Sequence, residues 1–367
     1  MRLYHTAATL ALLTQALLTA AEPNLAPAAM AEPVSTRPVV EINADNQHYD
    51  HASGASRFSG NVTVKYNNVR VFGTEANVKM MPNGEAVATF PNHPVAKRFA
   101  PAPKDGKTAS PNSPLLAMGP VSKLIPGNVA PQGWLTDVIH ADTMQFHLNS
   151  QQVKALGNTV SELTTIAAAP MTIRADVQEF DNRNKLATAT GSVQLHYKDF
   201  EAYAPKMLLN VSPSGQPQTV KFLQGVRLKD GTRGEITSGQ ITYVIASGNM
   251  MAEGGVKSRV NPQSTGSAGK PPITIESDYQ QFDKTSNTVI ASGHVRIVYE
   301  DYRVSAPKAT FKIINNTVET IDLIGRSSVS DGDRTITADK IILRTNPKSF
   351  DAKGNVKTQF KSQPGLG

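Results

Sequence analysis

The chain has 367 residues, with 37 Lys and Arg against 30 Asp and Glu, a formal net charge of +7 and no cysteine. Without cysteine there is no disulfide framework, thiolate zinc site, iron–sulfur cluster or cysteine nucleophile. Hydrophobic residues make up 39% and charged residues 18%, a balance that excludes a disordered chain and predicts two or three domains with a sizeable core.

The chain opens with Arg2, then an uncharged run rich in Ala and Leu from Thr6 to Ala21, then Glu22 and Pro23. This pattern reads as a secretory signal peptide within residues 1–31, cut after Ala21 or after Ala31. The run is shorter than the roughly 20 residues that span a bilayer. The expected protein is therefore exported, soluble or peripherally membrane-associated. Export argues against a nucleic-acid partner, and the basic balance then points to an envelope polyanion.

Beyond the leader one motif recurs six times with constant internal spacing, the mark of a repeated supersecondary unit. Asp45, Asp142, Asp176, Gly239, Asp278 and Asp339 serve as its origin. Three residues earlier stands Ile42, Ile139, Ile173, Ile236, Ile275 or Ile336. A small residue comes just before the origin, and a large one (Tyr49, Phe146, Phe180, Tyr243, Phe282, Leu343) comes four after it. Fifteen residues on there is always glycine: Gly60, Gly157, Gly191, Gly254, Gly293 and Gly354.

The first, third and fifth copies continue into alternating segments at 62–66, 193–197 and 295–299, which predict half-buried β-strands. The copies thus pair into double units at 39–165, 166–260 and 273–361, with a Ser-, Gly- and Pro-rich linker at 261–272. The first double unit is enlarged by an insertion at 91–133 that carries nine prolines and a basic excess. Proline cannot donate to a sheet ladder, so this stretch is expected to be an extended loop outside the core.

Within one copy, the isoleucine and the later aromatic have opposite strand parity, which predicts a bulge or bend at the origin. The invariant glycine is expected to mark the next chain reversal. Four short strands per copy, two in each of two facing sheets, then give about twelve layers and a body on the order of 55 to 60 Å long. Such repetition argues against catalysis, because paired carboxylates need fixed separation in one cleft. His48 and His51 fall on opposite faces of a strand or turn, and no nucleophile elbow, P-loop or metalloprotease helix occurs. No catalytic residue, metal or cofactor is expected.

The segment Ile173-Arg174-Ala175-Asp176 with Phe180-Asp181, then Gly191-Ser192-Val193 and Tyr197, resembles the OstA-like (LptA-type) family of lipopolysaccharide-transport proteins. So do Ile42-Asn43-Ala44-Asp45 with Gly60-Asn61-Val62, and Ile336-Thr337-Ala338-Asp339 with Gly354-Asn355-Val356. The resemblance covers nearly everything from Val39 to Phe360. It implies an all-β, elongated open β-jellyroll of two facing antiparallel sheets. It also implies a groove shielding acyl chains of lipopolysaccharide or a related acylated glycolipid, without covalent chemistry. The partners it implies are LptC-like and LptD-like β-jellyroll domains stacked edge to edge, or a second copy of the chain.

By alternation, the candidates for the groove wall are Ile42, Val62, Val64, Tyr66, Ile173, Val193, Leu195, Tyr197, Ile275, Val295, Ile297 and Tyr299. Lys65, Lys198, Lys206 and Lys308 are candidates for meeting lipid phosphates at its edge. The competing expectation is a structural or adhesive β-solenoid of the envelope, in which the same apolar residues close an ordinary core.

Overall fold

The computed structural model describes residues 40–66, 69–100, 134–163, 170–213, 216–261, 271–314 and 317–361. The expected signal peptide, most of the insertion and most of the linker lie outside the described residues.

Val, Ile, Thr and aromatic residues at alternate positions favour extended chain, and all regular structure among the described residues is strand. The first section holds β1 (Glu41–Asn43), β2 (Asn46–Asp50), β3 (Ala55–Tyr66), β4 (Val69–Met80), β5 (Ala86–Phe90), β6 (Val95–Ala100), β7 (Trp134–His140), β8 (Thr143–His147) and β9 (Gln152–Leu163). The second holds β10 (Met171–Asp181), β11 (Leu186–Tyr197), β12 (Phe200–Val211), β13 (Pro217–Asp230), β14 (Gly234–Val244) and β15 (Asn249–Val260). The third holds β16 (Ile273–Asp283), β17 (Thr288–Tyr299), β18 (Tyr302–Ile314), β19 (Thr317–Asp331), β20 (Arg334–Thr345), β21 (Lys348–Lys353) and β22 (Lys357–Phe360).

Four pairs of short strands are single strands broken at the middle. β1 and β2 both pair with β3, β5 and β6 with β4, β7 and β8 with β9, and β21 and β22 with β20. The 22 segments therefore form 18 layers of one antiparallel ladder, six to a section, with the edges at β1/β2 and β21/β22 unpaired among the described residues. At about 4.8 Å per layer, the ladder runs on the order of 80 Å in the hydrogen-bonding direction.

Twelve layers were expected from four short strands per copy. Each copy instead supplies three long, bent strands, because the invariant glycine lies at a bend within a strand and not at a chain reversal. In β11 the register slips between Thr190 and Val193, where Gly191 and Ser192 are both left-handed, at φ +77° and +46°. β10 slips opposite it, between Arg174 and Val177. The expected bend at the origin is there, and the aspartate packs directly on the next strand's glycine. A Cβ at Gly191 would sit 2.1 Å from Asp176 Oδ2.

The residue after the glycine is held by the same carboxylate. Asn61, Asn158 and Asn355 donate through Nδ2 to Asp45, Asp142 and Asp339 at 2.9, 2.8 and 2.7 Å. His294 Nδ1 lies 2.8 Å from Asp278 Oδ2. Asparagine tolerates the left-handed region better than most residues, so the sequence places it at a strained position and the aspartate fixes it there.

Part of the stretch expected to be a loop is also strand. Val95–Ala100 forms β6, hydrogen-bonded to β4 and β7, with Ala96 and Arg98 buried. The prolines at 91 and 94 stand before this strand, at its bend, so they remove no ladder donor within it.

Each bend folds the strands over, so that two half-sheets face one another. In the second section the inward rung of one half runs through Ile173, Leu195, Ala202, Leu228, Ile236 and Ser258. The facing rung runs through Gln178, Ala189, Met207, Phe222, Ile241 and Ala252. Full burial of each Val, Leu or Ile side chain contributes about 1.5 to 3 kcal/mol. These residues gather into three apolar clusters, from Phe58 to Ala155, Leu163 to Val256 and Ile273 to Leu343.

Candidate functional site: the interior between the half-sheets

The candidate wall residues are distributed over all three clusters. Val62, Val64 and Tyr66 are buried in the first, Ile173, Val193, Leu195 and Tyr197 in the second, and Ile275, Val295 and Ile297 in the third. Ile42 and Tyr299 are half-buried and pack against the first and third.

The half-sheets are continuous only through the bends. On the opposite side no backbone pairing joins them among the described residues, and side chains alone close the seam. Tyr66 meets Phe146 edge to face at 5.6 Å between ring centroids, and Phe200 meets Tyr243 at 5.5 Å. The Arg98 guanidinium lies 4.9 Å from the Phe180 ring centroid, and that of Arg334 lies 5.0 Å from Phe350. Aromatic and cation–π contacts of this kind contribute about 0.5 to 2 kcal/mol each, far less than a backbone ladder.

Few polar side chains enter the interior. Ser161 Oγ donates to Gln178 Oε1 at 2.7 Å, and Gln178 Nε2 donates to the Ile173 carbonyl at 3.1 Å. Ser258 Oγ repeats the bond to Gln280 Oε1 at 2.7 Å. Beside the first pair, Arg98 forms a buried ion pair with Asp137 across neighbouring strands. Burial pushes the Asp137 carboxyl up to about 6, and the attraction of Arg98 only partly opposes it. A cavity of about 60 Å³ adjoins this group. The Tyr66 hydroxyl is buried with no hydrogen-bond partner among the described residues.

Of the candidate edge lysines, Lys65 is committed to Glu41 Oε1 at 2.9 Å and Lys198 lies over the Tyr197 ring at 5.1 Å. Lys206 is half-buried and Lys308 exposed, each just after the bend proline 205 or 307. No group of His, Asp and Glu among the described residues is arranged to hold a metal ion, and no helix there is long and apolar enough to cross a membrane.

Arg98 and Asp137 carry no sequence signal of their pairing, because the first stands in the proline-rich stretch and the second precedes the motif. The Ser–Gln pairs had a signal in the repeat. Gln47, Gln178 and Gln280 stand two after the origin, and Ser161, Ser258 and Thr358 stand four after the glycine.

These features define an all-β ladder of bent strands whose two half-sheets enclose an apolar interior closed on one side by side chains alone. No protein-family model matches the chain, and no curated protein matches it. Among solved structures the chain is similar to LptH of Pseudomonas aeruginosa, the LptA-homologous periplasmic component of that organism's lipopolysaccharide transport device. The identity is 14% and the TM-score 0.30, over 44% of this chain and 95% of that one.

Proposed function

We propose that this chain is a non-enzymatic periplasmic protein that shields the acyl chains of lipopolysaccharide, or a related acylated glycolipid, between its half-sheets and helps bridge their transport to the outer membrane. The observation that carries this reading is the side-chain seam: it can part to admit an acyl chain without breaking the backbone ladder. Each methylene kept from water saves about 0.8 kcal/mol. The export signal and the OstA-like motif support the same reading.

The free edges support stacking with LptC-like and LptD-like domains or with a second copy, since unpaired edge groups recruit further strands. Tyr49, Val356 and Phe360 are 49%, 52% and 74% exposed at these edges. Thr159 and Leu163, the counterparts of Val356 and Phe360 within the ladder, are buried. Gln47 and Thr358 are the unmatched halves of the internal Ser–Gln pair.

A benzophenone amino acid in place of Tyr197 is expected to crosslink to acylated glycolipid under ultraviolet light in the periplasm. The same group at exposed Lys312, on the outer face, is not. Equal or absent crosslinking at both positions counts against the carrier. The structural or adhesive solenoid is favoured by one observation, the small volume of the cavity beside Arg98 and Asp137, about 60 Å³, and it predicts no crosslink at Tyr197.

A further inference from the structure

The three apolar clusters are distinct, although the cavity of about 60 Å³ beside Ser161 and Gln178 is lined by members of the first two, Val69 and Ala96 with Ile173 and Met207. The first ends at Ala155 and the second begins at Leu163; the second ends at Val256 and the third begins at Ile273. At each break one serine and one glutamine meet across the interior, Ser161 with Gln178 and Ser258 with Gln280, both at 2.7 Å. All four residues are at most 8% exposed. The serine belongs to the last layer of one section and the glutamine to the first layer of the next. They come from opposite half-sheets, so each bond spans the interior. Each glutamine also donates to a backbone carbonyl on its own strand, Ile173 at 3.1 Å and Ile275 at 3.4 Å, which holds the amide in place.

We propose that these two pairs are transverse latches that divide the interior into three compartments, each receiving acyl chains separately. This rests on the carrier reading. A saturated chain offers no donor or acceptor, so pushing it past a latch strands a buried hydroxyl and amide. An ester, amide or hydroxyl on the ligand replaces the lost bond and comes to rest there. The latches therefore favour amphiphiles whose acyl chains carry such a group and confine plain hydrocarbon to one section.

The test uses the full chain and 1-pyrenedodecanoic acid, whose emission changes from monomer to excimer when two pyrenes touch. Two variants remove both partners of a latch, so neither is left unpaired: Ser161→Ala with Gln178→Leu, and Ser258→Ala with Gln280→Leu. The wild-type chain is expected to bind more than one probe and emit as monomer. Each variant is expected to show a severalfold higher excimer-to-monomer ratio at the same number of bound probes per chain. Excimer emission from the wild type, a single bound probe, or unchanged ratios in variants that still bind overturns the latches and leaves the carrier reading standing. No binding at all overturns both. The wild-type stoichiometry and ratio decide the matter even if a variant does not fold.

Discussion

The bend chemistry makes a quantitative prediction because one copy of the motif lacks the aspartate. Gly191 has φ +77°, and an added Cβ would lie 2.1 Å from Asp176 Oδ2. Gly254 has φ +83°, but Gly239 replaces the aspartate, and the nearest atom to an added Cβ is the Gly239 Cα at 3.4 Å. Both alanine substitutions carry the left-handed cost, about 1 to 2 kcal/mol. Only Gly191→Ala also displaces a packed side chain, at about 1 to 3 kcal/mol more. The expected losses are about 2 to 5 kcal/mol for Gly191→Ala and about 1 to 2 kcal/mol for Gly254→Ala. Adding Asp176→Gly to Gly191→Ala removes the clash, so the double-mutant cycle gives a favourable coupling of about 1 to 3 kcal/mol. A ladder in which backbone pairing joins each layer only to its neighbours opens in pieces. The assay is therefore hydrogen exchange by mass spectrometry on peptides covering β10–β11 and β14–β15. Equal losses at the two glycines, or no relief from Asp176→Gly, refutes the claim that aspartate and glycine are matched across the bend.

Asp137 sets a pH dependence. Its folded carboxyl is pushed up to about 6, against about 3.9 when unfolded. As pH rises from about 4 to 6 the unfolded state releases this proton first, so stability falls by about 3 kcal/mol across that window. Asp137→Asn removes this fall, which paired denaturant titrations at pH 4 and 7 will measure. Tyr66→Phe deletes a buried hydroxyl that has no partner among the described residues, and thermal melting is expected to show stability unchanged or raised by about 1 kcal/mol. Ile297→Ala, at 1% exposure in the third cluster, is expected to cost about 2 to 5 kcal/mol in local exchange protection of β16–β18. Phe360→Asp at the exposed edge is expected to shift sedimentation toward monomer while leaving exchange within β10–β15 unchanged.

Much of the architecture was readable because the repeat imposes it. The isoleucine before the origin and the alternating segments after the glycine fixed which faces turn inward, and a single parity conflict located the bend. Strand length and number are not legible there, since a glycine followed by x-Val looks the same whether the chain reverses or merely bends. The distinguishing signal was the next residue, Asn61, Asn158 or Asn355, whose left-handed conformation and bond to the aspartate require a neighbouring strand already in register. Arg98 is hidden in the sequence for a related reason. Prolines ahead of β6 suggested a loop, although they only mark where that strand is broken. The seam contacts, such as Tyr66 with Phe146, join residues far apart in the chain and depend on how tightly the half-sheets close, which no local pattern encodes.

The central claim is that the interior holds acyl chains. The most direct measurement is to express the chain from Glu32 onward in the periplasm of a lipopolysaccharide-containing host, purify it without detergent, and identify extracted lipid by mass spectrometry. Stoichiometric lipopolysaccharide or another acylated glycolipid is the predicted result. Repeated recovery of no amphiphile, together with failure of added lipid to bind, would contradict it and leave a ladder whose interior serves only to hold itself together.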